Sequence, residues 1–355
     1  MVETSSFRLP FCTFSVRQLA AALLLLSTPL GIAYEYKAVQ INDSPGIIHL
    51  GRMAISESGT IAGSYDISMT TMRGFILADG DLSYFDNPII GNNFWVMGVN
   101  DSRQVLLYSH QQLRAEVMHD GSEQEIWYRS GYSIEAWAIN NSGVVAGTAT
   151  VGFSLGFMWQ NGTFTLLNDP QGPNFWPRAI DENNALGGYK QYYYGQSPGA
   201  ARWVNGVLEE LRPGSSYVFG MNNVGSYVGG GEGAFYWRNY QMIDIPTIPG
   251  QGYSYALDVN DSDVVVGISY GSPDVAFRWT PGGYAERLID LIDPSDGWTS
   301  LERAYSINNR GQIVGWGYRN GLRRPFLLNP VPEPVSGVVL GASVVALIAR
   351  RKRRP

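Results

Sequence analysis

The sequence predicts an all-β fold, a seven-bladed β-propeller closed by an N-terminal strand. Three observations lead to this prediction. One motif, shown most fully by residues 136–147, occurs seven times, hairpin signals follow the copies, and one β-rich segment precedes the first copy. The composition agrees, because 16% charged residues together with 42 glycines are typical of an all-β repeat protein.

The motif has a regular spacing. Its sequence at 136–147 is AWAINNSGVVAG, in which an apolar residue ends a strand, polar residues turn the chain and a β-rich run returns. The successive turn-start positions are separated by 44, 40, 41, 41, 38 and 48 residues. The turn-start residues are Ser56, Asn100, Asn140, Asp181, Asn222, Asn260 and Asn308. A period of about 40–45 residues matches one four-stranded propeller blade.

Two positions of the motif predict backbone geometry. The third residue after the turn start is Gly, Asn or Asp in six of seven copies, which predicts a left-handed residue in a tight hairpin. The seventh residue is Gly in six copies and Leu107 in the other. A glycine within a strand indicates close backbone approach, as expected where blades crowd the central axis.

A second half-motif completes each unit. Its clearest copies are AFYW at 234–237 and AFRW at 276–279. Asp-Gly or Asn-Gly pairs follow several copies and predict hairpins, and a fourth apolar run closes the unit. The second copy departs most from the pattern, with Arg103, Leu107 and AEVM at 115–118.

These half-motifs together resemble the HAF family of extracellular repeats. Its pattern combines Ala-x-x-Ile-Asn, Gly-x-Val-Val-Gly and Ala-Phe-x-Trp. The Ala-Phe pair is present at Ala234-Phe235 and Ala276-Phe277, but the His that precedes it in the family is absent from every copy. The resemblance covers roughly residues 34–329 and implies an extracellular repeat architecture rather than a particular activity.

The N-terminal segment, residues 1–33, is predicted to be a secretory signal. Arg8 and Arg17 supply positive charge, residues 19–33 supply an apolar core, and Gly31 and Ala33 fit a cleavage before Tyr34. An uncleaved N-terminal anchor is the alternative. Residues 36–41 follow as an orphan strand, which we expect to pair beside residues 324–328 and close the ring.

The C-terminal segment, residues 331–355, has three parts. The first is Pro332-Glu333-Pro334, the second is the uncharged run 335–349, and the third is a basic cluster. The cluster consists of Arg350, Arg351, Lys352, Arg353 and Arg354. The order resembles the PEP-CTERM sorting tail of exported Gram-negative proteins. The resemblance implies a transmembrane helix over 335–349, with the basic cluster stopping transfer.

The same resemblance implies a cellular location and a partner. An exosortase-type membrane protease would recognise Pro332, Glu333 and Pro334. The chain would be held transiently in the inner membrane with its body in the periplasm, and then reach the cell surface or the exterior. An ordinary tail anchor is the alternative, because a short apolar helix followed by basic residues is also sufficient for anchoring.

Charge and motif content restrict the chemistry of the body. Removing the seven basic and two acidic residues of the terminal segments leaves 18 basic and 29 acidic residues, a net charge of −11. This balance disfavours nucleic acid or acidic polymers as ligands over most of the surface. The three histidines, at 49, 110 and 119, have no zinc spacing, and no cofactor motif occurs. The acidic run 258–263 could bind Ca²⁺, but it coincides with a repeat turn that favours Asn and Asp for backbone reasons.

Aromatic residues outside the repeated positions are the candidate ligand contacts. They are Trp95, Trp176, Tyr193, Tyr253 and Trp298. We expect an exported, non-enzymatic surface or extracellular-matrix protein that binds a partner, with extracellular polysaccharide as the candidate, through propeller loops. The alternative is a glycan-acting propeller lyase or hydrolase, which would need acid and base residues converging on one face.

Overall fold

Short β-rich runs and tight turns build seven four-stranded antiparallel sheets. The computed structural model describes residues 34–42, 50–68, 71–87, 93–167, 174–191 and 197–332. The predicted signal segment, the predicted transmembrane run, the basic cluster, Glu333, Pro334 and Tyr193 lie outside these residues. Within the described ranges, no helix has the length and apolar character needed to cross a membrane.

The strands follow the repeat period. Strand β1 (Tyr36–Gln40) precedes the first complete blade. Blade 1 contains β2 (Leu50–Ile55), β3 (Ile61–Ser68), β4 (Thr71–Ala78) and β5 (Asp81–Phe85), and blade 2 contains β6 (Trp95–Val99), β7 (Val105–Ser109), β8 (Arg114–His119) and β9 (Ser122–Ile126). Blade 3 contains β10 (Ser133–Ile139), β11 (Val145–Val151), β12 (Phe153–Gln160) and β13 (Thr163–Leu167), and blade 4 contains β14 (Asn174–Ile180), β15 (Leu186–Gln191), β16 (Gly199–Val204) and β17 (Val207–Arg212).

The remaining blades follow the same order. Blade 5 contains β18 (Tyr217–Met221), β19 (Tyr227–Gly230), β20 (Phe235–Arg238) and β21 (Gln241–Asp244), and blade 6 contains β22 (Ser254–Val259), β23 (Val265–Ser269), β24 (Val275–Trp279) and β25 (Glu286–Arg287). Blade 7 contains β26 (Trp298–Ile307), β27 (Ile313–Arg319), β28 (Leu322–Pro330) and, as its outer strand, β1. Two short 3-10 helices, Leu288–Leu291 and Pro294–Asp296, lie between blades 6 and 7.

Ring closure occurs as the sequence predicts. Strand β1 pairs antiparallel with β28, from Tyr36 opposite Pro330 to Gln40 opposite Phe326. The first strands of successive blades contact one another in a complete circle, so that β26 also contacts β2. The prediction of seven blades closed by an N-terminal strand is therefore confirmed. Closure leaves the outer edge of β28 paired rather than open to another chain.

The repeated turn has the predicted left-handed residue in all seven copies. The φ of this residue lies between 60° and 92° in the seven copies. Two of the copies are not glycine or asparagine: Arg103 has a φ of 62° and Asp263 a φ of 60°. The turn-start side chain caps the turn, because its oxygen accepts from the backbone N–H four residues later. In blade 3, for example, Val144 N donates to Asn140 Oδ1 at 2.9 Å.

The turn-start amides also tie neighbouring blades together. In five blades the side-chain Nδ2 donates to the turn-start carbonyl of the next blade, as when Asn260 Nδ2 contacts Asn308 O at 3.1 Å. Ser56 and Asp181 have no amide N–H, and the series is interrupted after them. The preference for Asn at this position thus has two causes, a local cap and a bond to the next blade.

The repeated strand glycine has a different cause from the one predicted. A Cβ on Gly267 of β23 would lie 2.0 Å from Tyr255 O of the first strand and 2.9 Å from the Phe277 ring on the third. The crowding therefore comes from within the blade rather than from blades meeting at the axis. Blade 2 differs because Leu107 takes this position and lies opposite Glu116.

Candidate ligand-binding site

A β-bulge in the innermost strand of each blade turns one side chain toward the central channel. In six blades the pairing register skips one residue, three positions before the turn start. The skipped residues are Met97, Trp137, Arg178, Phe219, Leu257 and Tyr305. In blade 1 the skip falls between Leu50 and Met53 and includes Arg52. Bulges commonly redirect side chains in this way, and these residues line the channel.

One end of the channel widens into a cavity of about 570 Å³. Its walls include Arg52 near the start of a first strand, Trp95 at the start of another, and Tyr270, which follows a second strand. We call this the loop end of the channel, and the opposite end, with the seven repeated turns, the turn end. The volume lies within the range typical of small-molecule pockets.

Three arginines that are far apart in the sequence line the loop-end cavity. They are Arg52 of blade 1, Arg178 of blade 4 and Arg303 of blade 7. The Arg178 guanidinium lies 3.5 Å from the centre of the Trp137 ring, and Arg303 Nη1 donates to the Tyr305 hydroxyl at 3.1 Å. Within the described residues, none of the three has a carboxylate within ion-pair distance.

The electrostatics differ between members of this cluster, because the pKa of Arg52 is lowered while that of Arg303 is raised. Burial acts to lower the Arg303 pKa, but Tyr305, Tyr270 and Asp274 raise it. Burial lowers the pKa of the Arg52 guanidinium, and repulsion from Arg178 and Arg303 lowers it further, while Tyr305 and Asp258 act in the opposite direction. Asp258 lies deeper in the channel, where burial raises the pKa of its carboxyl to about 6. Like charges disfavour the ionised form of each other, so an anion placed here would offset the repulsion that Arg178 and Arg303 exert on Arg52.

Asp258 is bound to its neighbours rather than directed at the cavity. Its Oδ2 accepts from Ser306 Oγ at 2.8 Å and from Ile307 N at 2.9 Å, which links blades 6 and 7. Asp263, at the other end of the acidic run, forms an ion pair with Arg238. Across the described residues, no group of three or more His, Cys, Asp or Glu is placed to hold a metal ion.

A belt of aromatic rings surrounds the loop end on the side of blades 4 to 6. Successive ring centres are 4.6 to 6.2 Å apart. In order, the rings belong to Trp176, Tyr189, Tyr217, Phe219, Tyr255, Tyr270 and Tyr253. Arg178 lies over Tyr189 at 5.5 Å and Arg303 over Tyr270 at 5.7 Å, so cations flank both ends of the belt.

Two buried donors at this site have no acceptor among the described residues. They are the indole Nε1 of Trp137 and the Nε of Arg178, both on residues that line the cavity. Each group can only donate a hydrogen bond. Because buried polar groups are normally paired, these two atoms indicate a place for an acceptor on a ligand.

The sequence-predicted aromatics differ in their positions. Trp95 is 37% exposed, lines the cavity and stacks on His110, while Tyr253 is 51% exposed and stacks on Tyr270 at 4.6 Å. Trp176 belongs to the belt, stacked on Tyr189. Trp298 is only 5% exposed and meets Phe326 edge-on in the core, so its ring has no free face for a ligand.

Comparison with known proteins supplies the fold but no family. No protein-family model and no curated protein matches the sequence. Among solved structures, a catalytically inactive virginiamycin B lyase from Staphylococcus aureus with quinupristin is 13% identical, with a TM-score of 0.54, and covers 84% of this chain and 100% of its own. YCF48 from Cyanidioschyzon merolae is 12% identical, with a TM-score of 0.55, and covers 82% and 99%. These likenesses concern the fold alone.

Sequence reasoning did not identify the three arginines. Arg178 and Arg303 lie within a few residues of a turn start, at positions where the residue type differs from copy to copy. Nothing in the repeat therefore distinguishes these arginines from other variable residues. A usable signal, however, exists for Arg178 alone. The position three before the turn start carries large and varied side chains, while the next position is occupied by Ala, Gly, Ser or Asp. Such a contrast marks side chains that project from a crowded inner strand.

Proposed function

We propose that this protein is an exported, non-enzymatic surface or matrix protein that binds extracellular polysaccharide at the loop end of its channel. The observation that carries the proposal is the 570 Å³ cavity with aromatic walls. Rings that are flat, rigid and partly exposed offer large contact area at low entropic cost. The cavity donors at Trp137 and Arg178 complement the many oxygen acceptors of a sugar.

The binding test uses the purified body, residues 34–332. Oligosaccharides from a panel of neutral and acidic extracellular polysaccharides are titrated while tryptophan fluorescence is recorded, since Trp95 and Trp137 line the cavity. We expect saturable binding that weakens in Trp95→Ala. Trp127→Ala is the matched control, because Trp127 is 61% exposed and is not among the cavity-lining residues. Equal affinity in both variants would place binding elsewhere.

A glycan-acting lyase or hydrolase is the second candidate. The Tyr305 phenol lies in the cavity and accepts from Arg303 at 3.1 Å, an arrangement in which a phenol can exchange a proton with a substrate. The same oligosaccharides, incubated with the protein and analysed for shorter or unsaturated products, separate the two candidates. Turnover that is lost in Tyr305→Phe would support the enzyme, whereas saturable binding without product supports the binding protein.

We also propose that export ends in removal of the C-terminal tail. The resemblance of residues 331–355 to a PEP-CTERM tail supports this route, with an exosortase-type protease cutting near Pro332, Glu333 and Pro334. Prolines hold such a segment extended, which leaves its backbone accessible to a protease. We expect Glu333→Ala to remain uncut and membrane-bound. Mass spectrometry of the exported protein decides the point, because a mature chain that still ends at Pro355 would contradict processing.

A further inference from the structure

We infer that the loop-end cavity takes the carboxylate of an acidic sugar, held by Arg52, Arg178 and Arg303. The inference rests on the proposed function, since it names the chemical class of polysaccharide. It adds that the ligand is anionic, although the body as a whole carries an excess of negative charge.

The first support is the convergence of unpaired cations. These three guanidiniums share a cavity, and none of them has a carboxylate partner among the described residues. Arginines elsewhere in the same fold do have partners, as Arg202 has in Glu209 at 2.6 Å. Guanidinium groups bind carboxylates through parallel N–H donors, so an unpaired cluster suits that ligand group.

The second support is preorganisation. Arg178 lies over the Trp137 indole, 3.5 Å from the ring centre, and Arg303 donates to the Tyr305 hydroxyl. Stacking uses the face of a guanidinium and leaves its N–H edge available. Side chains fixed before binding lose less entropy when the ligand arrives, which favours affinity.

The third support is the neighbourhood of the cluster. Carboxyl groups occur at Asp66 on the cavity wall and at Asp258 deeper in the channel, and Asp258 already accepts two hydrogen bonds from blade 7. Aromatic rings occupy the remaining wall and suit the apolar face of a sugar. The net charge of −11 on the body disfavours a densely charged polyanion. A single sugar carboxylate held inside this cavity meets all of these conditions.

The experiment compares a charged sugar with uncharged sugars and with a simple anion. Trigalacturonate, its methyl ester, a neutral trisaccharide and sodium sulfate are titrated into residues 34–332 by calorimetry. We expect the free acid to bind at least roughly 10-fold more tightly than the ester, because a hydrogen bond to a charged group is stronger than a neutral one. Affinity for the acid should also fall with rising salt.

The variants test the arginines individually. Arg178→Gln and Arg303→Gln should each weaken binding of the acid roughly 10- to 100-fold and weaken binding of the ester far less. Arg202→Gln is the matched control, since Arg202 stacks on Trp237 at 4.5 Å but lies outside the cavity lining. Thermal unfolding shows whether each variant is folded. If Arg178→Gln does not fold, the comparison of acid and ester is made with Arg303→Gln.

Each outcome has one meaning. Acid binding that exceeds ester binding and depends on both arginines supports the inference. Equal binding of acid, ester and neutral sugar overturns it and leaves the proposed function intact. Arginine-dependent binding of sulfate, with no sugar bound, overturns the sugar assignment and the proposed function together. Absence of all binding overturns both as well.

Discussion

The substitution Glu116→Gln should stabilise the protein at alkaline pH and not at acidic pH. Glu116 lies on β8, where the other blades mostly place Phe, and it is fully buried opposite Leu107. Its Oε1 accepts from Asn87, while its Oε2 is buried without a hydrogen-bond partner. Burial, with smaller repulsion from Glu123 and Glu125, raises the pKa of the carboxyl to about 7.

The sign and size of the effect follow from linkage. The pKa of Glu116 is higher in the folded state than in the unfolded state, so protonation favours folding. This contribution to stability is fully present below about pH 4, the pKa of the carboxyl in the unfolded chain. That stability is lost as pH rises through 7, and amounts to roughly 3 kcal/mol once ionisation is complete. Gln cannot ionise, but its amide nitrogen also lacks a partner, so we expect a net gain of about 2 kcal/mol at pH 8.

Urea unfolding followed by circular dichroism measures this gain. The free energy of unfolding of the parent and of Glu116→Gln is compared at pH 4.5 and pH 8. Glu232→Gln is the control, because it removes a charge from an exposed site in blade 5, away from Glu116. A gain of equal size at both pH values would refute the reasoning, since it would not depend on ionisation of Glu116.

Three further predictions concern the frame of the propeller. Gly267→Ala should cost about 3 kcal/mol by overpacking against Tyr255 O, and Gly252→Ala, with its nearest atom 3.3 Å away, should cost far less in the same thermal melt. Asn260→Ala should cost about 2 kcal/mol in urea, because it removes both a turn cap and an inter-blade hydrogen bond. Deleting residues 34–42 should expose the edge of β28 and cause concentration-dependent association in size-exclusion chromatography, and a monomeric product would contradict it.

The functional proposals concern positions that the repeat leaves free. Most of each motif is committed to turning the chain, capping the turn and packing one blade on the next. The residue three before the turn start is not constrained in this way, because the bulge leaves it out of the pairing with the second strand. Six such residues line the channel, and their side chains vary independently of the repeat; in this chain they include one cation and three aromatic rings.

The sequence by itself determined the repeat architecture of this protein. Its period gave the number of blades, the residues around Asn140 predicted the left-handed turn, and the orphan segment 36–41 predicted the closing strand. These features depend on local backbone chemistry, which repeats whenever the sequence repeats, and so they can be recognised without knowing what lies across the fold.

Only the tertiary structure decided where the side chains meet. Arg52, Arg178 and Arg303 are separated by more than a hundred residues each, and they share one cavity because seven inner strands converge on one axis. The bulge register, which turns Arg178 and Trp137 into the channel, is set by pairing with the second strand. Burial of Trp298 against the core is likewise a property of packing, and no local pattern distinguishes it from a ring at the surface.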